Sequence, residues 1–159
     1  MRQVVILFAI ISGITADAAA RRAGSDENST VQPAVRACAV LTRDLVAPFS
    51  ENPKMLDLVP PNEEALGTAG TACHYGSVRL QLFPGRGGKR APYVKDLQPV
   101  SGVGDGGYFR SNRDRYADLM VWTARHSLDL QVSVPSGKTA EAIKADVVAL
   151  ANKIIAKLP

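Results

Sequence analysis

From residue 127 the chain alternates: Leu128, Leu130, Val132 and Val134 fall on one side, and Ser127, Asp129, Gln131 and Ser133 on the other. A period of two is that of a β-strand with one face in a core. The preceding run ADLMVWTA is separated from it by Arg125 and His126, so the two predict an antiparallel hairpin whose tip lacks the Asn-Gly or Asp-Gly signal. A single imidazole at such a tip is expected to be solvated. A second strand places Val78, Leu80 and Leu82 inward and Arg79 and Gln81 outward. Cys73 falls on the opposite parity from Val78, which predicts a bulge near Gly76 if both point inward. His74 shares the parity of Val78 and is expected to be partly buried beside Cys73. Shorter extended segments are expected at residues 93–97 and around Tyr108 and Phe109, with a charged turn at residues 112–115.

Two helical stretches flank these strands. Near the start of the ordered chain, PAVRACAVLTRDLVAPF predicts a short helix with Pro33 in its first turn and an apolar face of Val35, Ala39 and Val40. Thr42 can cap a second turn through Leu45 and Val46, which Pro48 halts. At the other end, Ile143, Val147, Leu150, Ile154 and Leu158 recur at steps of three and four, an amphipathic helix capped at Thr139 or Ser136. Between them, residues 50–71 are rich in proline, glycine and acids, with one apolar cluster at Met55, Leu56, Leu58 and Val59, and read as a long connection. The order predicts an α+β fold: an antiparallel sheet with an N-terminal short helix and a C-terminal amphipathic helix packed on one face.

The first residues change the picture of where this domain works. Arg2, an uncharged apolar run over residues 4–14 and small residues to Ala20 have the form of a secretory signal peptide, with cleavage after Ala18 or Ala20. Residues 1–20 are therefore assigned as signal peptide, 21–32 as a disordered leader and 33–159 as a single α+β domain. No later run approaches the roughly 20 apolar residues of a transmembrane helix, so a periplasmic or extracellular location is expected. The formal net charge of +4 is unchanged by cleavage, because Arg2 and Asp17 cancel. It is too small, without a basic stripe or motif, to predict nucleic-acid binding.

In an oxidising compartment two cysteines, Cys38 and Cys73, read most simply as a disulfide. A metal site built from Cys38, Cys73 and His74 is the alternative, disfavoured because adjacent strand residues point to opposite faces.

Gly102, Gly104 and Gly107 match the spacing G-x-G-x-x-G, but Tyr108, Phe109, Arg110 and Ser111 follow where a dinucleotide loop requires a helix. The stretch is expected to enter a β-hairpin, with Asp105 bonding turn amides, and no cofactor is predicted. Arg86, Lys89 and Arg90, interleaved with Gly85, Gly87 and Gly88, form a candidate anion- or partner-binding loop. Lys89 is followed by Arg90 rather than Ser or Thr, so it is no P-loop. His74 and His126 have no partners in sequence that define a hydrolytic triad. Trp122, with Tyr93, Tyr108 and Tyr116, supplies aromatic surface. Trp122 and Met120 share the face opposite Leu119 and Val121, and with Tyr108 they are the candidate ligand face.

The segments ACAVLTRDLV, CHY and VSGVGDGGYF, followed by a strand pair and an alanine-rich closing helix, resemble a group of secreted bacterial proteins and lipoproteins of unknown function, best populated in actinobacteria. The resemblance spans residues 37–158. It implies a Cys38–Cys73 disulfide and an α+β fold distantly similar to extracellular sensor domains of mycobacterial kinases, and it brings no catalytic residues. The chain departs from the pattern in lacking a lipid-attachment cysteine and in carrying Gly107 where alanine is usual. The expectation that follows is an exported, non-enzymatic binding or accessory module of the bacterial envelope, with an envelope protein or anionic polymer as partner. The alternative is a small periplasmic hydrolase or enzyme inhibitor with a site assembled around His74 and Asp105.

Overall fold

The computed structural model describes residues 35–67, 70–85, 96–112 and 115–159. The signal peptide, the leader, Pro33, the basic loop of Arg86, Lys89 and Arg90, and Tyr93 lie outside the described residues. Seven antiparallel strands form one sheet: β1 (Asn62–Leu66), β2 (Gly70–Tyr75), β3 (Val78–Pro84), β4 (Gln98–Val100), β5 (Gly106–Asn112), β6 (Tyr116–Trp122) and β7 (His126–Ser133), in the spatial order β1-β2-β3-β7-β6-β5-β4. Two meanders thus meet where β3 pairs with β7. The chain crosses from β3 to the far edge and returns strand by strand.

Register explains the core. Leu80, Leu130, Leu119 and Phe109 are cross-strand partners in sequence across β3, β7, β6 and β5, and all four are fully buried. The alternation read along residues 127–134 is therefore continued sideways through the sheet. Against this face lie α1 (Ala37–Val40), α2 (Arg43–Val46) and α3 (Lys144–Ile155), with 3₁₀ turns at Ala47–Phe49, Pro53–Asp57 and Glu141–Ile143. The closing helix buries Val147, Leu150, Ala151 and Ile154, with Ile143 in the turn before it. Thr139 Oγ1 accepts a hydrogen bond from the Ala142 amide at 3.2 Å, while the Ser136 amide donates to Glu51. That Thr139 bond lies at the start of the 3₁₀ turn Glu141–Ile143; α3 itself follows with Ile143 at its N-cap and no side-chain cap, so neither Thr139 nor Ser136 caps it as expected. No helix among the described residues is long and apolar enough to cross a membrane.

Several details differ from expectation. There is no bulge at Gly76: Tyr75 pairs with Val78, so Gly76 and Ser77 form a two-residue turn, with Gly76 at φ +56. A two-residue hairpin sets residue 75 opposite 78 and residue 73 opposite 80, so parity inverts through the turn and Cys73 faces inward beside Leu80. His74 consequently points outward and is exposed. A Cβ at Gly76 would meet Leu56 Cδ2 at 2.5 Å, so the turn also fits closely under the 3₁₀ turn. Residues 50–71 are not a plain connection, since they hold that turn and edge strand β1. Ala37, Val40 and Leu41 make the buried side of the first helical turns, and Ala39 is exposed. Of the extended segment expected at residues 93–97, residues 93–95 lie outside the described residues; Asp96 and Leu97 are not in a strand, and β4 begins at Gln98.

Cys38 and Cys73 form a disulfide with Cα atoms 4.9 Å apart, fastening α1 to the inner face of β2. Their sulfur atoms are therefore not metal ligands. Nearby, the Ala37 amide donates to Thr71 Oγ1 at 2.9 Å and the Cys38 amide to Glu63 Oε1 at 3.3 Å.

Candidate ligand-binding face

The glycine-rich stretch enters the hairpin of β5 and β6, as its flanking residues predicted. Gly104, at φ +51, has no room for a side chain because a Cβ would lie 2.6 Å from the Trp122 carbonyl oxygen. The Asp105 amide donates to that same oxygen at 2.9 Å, and Asn152 Nδ2 on α3 donates to the Gly102 oxygen at 3.0 Å. The loop's main chain is thus joined to the sheet by a backbone bond and to the helix by the Asn152 side chain.

This entry sets the register that assembles the outer sheet face. Tyr108 is paired with Met120, and the Tyr108 and Trp122 rings stand 5.4 Å apart between centroids with planes inclined by 50°. A tilted pair at that distance is a favourable quadrupolar arrangement. The three residues of the candidate ligand face therefore come together, all half-buried. Among the described residues, no helix packs on this side.

Beside the aromatics lies a polar lattice that the alternation pattern implied only as an outward face. Arg79, Gln131, Asp118 and Arg110 form one continuous cross-strand row. Arg110 Nη2 donates to Asp118 Oδ2 at 2.6 Å and Gln131 Nε2 to Asp118 Oδ1 at 2.9 Å. Asp118 is only 5% exposed, its charge covered by its neighbours on both flanking strands. In the adjacent row, Asp129 faces Gln81 on one side and Met120 on the other. Burial pushes its carboxyl above the ordinary carboxylate range, and the Asp118 charge adds to this, while Arg110 and Arg79 pull it back. Arg79 Nε is buried without a hydrogen-bond acceptor.

The other candidates are placed differently. His74 Nε2 stands 3.8 Å from Glu64 Oε2, with both side chains exposed. Asp105 immediately precedes β5, four strand positions from β2, which is roughly 19 Å at the usual interstrand spacing. The two are not brought together. His126 is not a wet tip residue: it is 5% exposed, and burial, followed by the Arg125 charge, holds its imidazole below the ordinary range. Thr123 makes the tip instead, its Oγ1 accepting from the Arg125 and His126 amides at 3.3 and 2.9 Å. On the helix side, a groove of about 230 Å³ between α2 and α3 is lined by Leu45, Pro48, Phe49 and Leu150, with Asp44, Asp146 and Lys153 at its margin. It is smaller than an ordinary ligand pocket.

No family model, curated protein or solved structure matches this chain.

Proposed function

We propose that the chain is an exported, non-enzymatic binding or accessory module of the bacterial envelope, and that it engages its ligand on the outer face of the sheet. The observation that carries this reading is the convergence of Tyr108, Met120 and Trp122 on one open face, beside a lattice of arginine, aspartate and glutamine. Aromatic residues, methionine and arginine are enriched at open recognition surfaces. The apolar run near the N-terminus supports export, and a disulfide between Cys38 and Cys73 is compatible with it. In the same proposal, Arg86, Lys89 and Arg90 add an anion-attracting loop that holds an anionic polymer or an acidic envelope protein.

The test is retention of envelope components by immobilised protein lacking residues 1–20, with bound proteins and small molecules identified by mass spectrometry. Retention should fall when Tyr108 and Trp122 are replaced together by alanine. Equal retention by that variant, with its circular dichroism unchanged, refutes the face. Replacing Arg86, Lys89 and Arg90 by serine should leave the fold intact and abolish retention on an anionic polymer. Unchanged retention refutes the loop's role.

A further inference from the structure

The outer face is chemically mismatched with itself in a way that describes what would complete it. Its cations and anions balance, Arg79 and Arg110 against Asp118 and Asp129, so the patch offers no net charge to draw an ion. Asp118 is satisfied by Arg110 and Gln131. Arg79 Nε is a buried donor without an acceptor, which is costly to leave in place. Asp129 stands one row away as a half-buried carboxyl whose charged form is disfavoured by desolvation. A completing group must therefore supply an acceptor to a guanidinium and a donor to a carboxyl. A hydroxyl does both. An ammonium supplies no acceptor, and a sulfate or phosphodiester supplies acceptors to Arg79 but no donor to Asp129.

The next rows supply the remaining requirement. Tyr108 and Met120 are cross-strand partners in the row of Asp129, and Trp122 lies in the row beyond, paired with Ser127. An apolar aromatic platform lies alongside polar groups that exchange hydrogen bonds with hydroxyls. A pyranose ring carries hydroxyls on its edge and C–H bonds on its faces, and it meets both sets of partners at once.

We infer that the Tyr108–Met120–Trp122 surface, together with Arg79 and Asp129, is a binding platform for an uncharged saccharide. This rests on the outer face being the binding surface. Arg79 engages the sugar by rotating its long side chain toward solvent, which releases the shielded Nε.

Trp122 is the single tryptophan of the chain, so its fluorescence reports this surface alone. The disulfide-intact protein lacking residues 1–20 is titrated with chitotetraose, cellotetraose and mannotetraose, and in parallel with choline and inorganic phosphate. A saturable change is expected with at least one of the neutral tetrasaccharides, weakened about tenfold or more by Asp129→Ala and by Tyr108→Ala, with folding of each variant verified by circular dichroism. A response to choline or phosphate alone overturns the saccharide class while leaving the face as a binding surface. Silence with all five probes overturns the saccharide class as well. If the fluorescence is then also unmoved by envelope extract, the binding-face reading falls with it.

Discussion

The indole of Trp122 lies against the backbone of Gly106: a Cβ built on that glycine would stand 2.7 Å from Trp122 Cζ2 and 3.1 Å from Cε2. The same relation recurs across the sheet, where a Cβ on Gly70 would meet Phe83 Cδ1 at 2.5 Å. Gly106 also sits at φ +149, so a side chain there faces both crowding and an unfavourable backbone. Gly106→Ala should cost roughly 1–3 kcal/mol and alter the emission of Trp122. Chemical denaturation followed by fluorescence reads both effects. An unchanged spectrum would mean that the ring does not depend on the glycine for its position.

The disulfide closes a separation of 35 residues. In the chain-entropy account, its loss should destabilise the fold by about 4 kcal/mol. The double substitution of Cys38 and Cys73 by serine, compared with the oxidised and reduced protein in urea, measures this. Reduced protein and double variant should agree, since both release the same constraint on the unfolded chain.

His126 predicts a dependence on acid. Its folded pKa lies below the ordinary value of 6.5, so the unfolded state binds the proton first as pH falls. The contribution of this group to stability is complete above that ordinary value and declines from there until the folded pKa is reached. Unfolding free energies measured across this range should slope downward toward acid. His126→Gln should flatten the slope, whatever it does to stability at neutral pH.

Asp129 has the opposite sign. Its folded pKa is raised above the ordinary value of 3.8, so its contribution is fully present below that value and is lost as pH rises through the folded pKa. Asp129→Asn should therefore stabilise the protein near neutral pH and have little effect in acid. Paired denaturation curves at the two extremes decide it. Equal effects at both would show that desolvation of the carboxylate is not what the substitution relieves.

Two of the three candidate ligand-face residues were legible from parity alone, because Met120 and Trp122 are two positions apart on one strand. Tyr108 joins them only through the 108–120 pairing, which depends on where the glycine-rich stretch enters the hairpin. The polar lattice was visible as an outward alternation of Asp129 and Gln131 and of Arg79 and Gln81. That Gln131 and Arg110 both bind Asp118 depends on which strands are neighbours, and no local period carries that.

By itself the sequence determined the strands around residues 78–82 and 127–133 and the closing amphipathic helix, because period acts over a few residues, and the pairing of the two cysteines, because a chain with two has one way to pair them. Tertiary structure alone decided that β3 lies beside β7, setting Leu80 opposite Leu130. It also decided that a proline- and acid-rich segment supplies edge strand β1, that His126 is buried, and that His74 and Asp105 stand apart. The physical reason is common to all of these. They follow from which surfaces become neighbours once distant strands share hydrogen bonds, and that choice is made by the packing of the whole core.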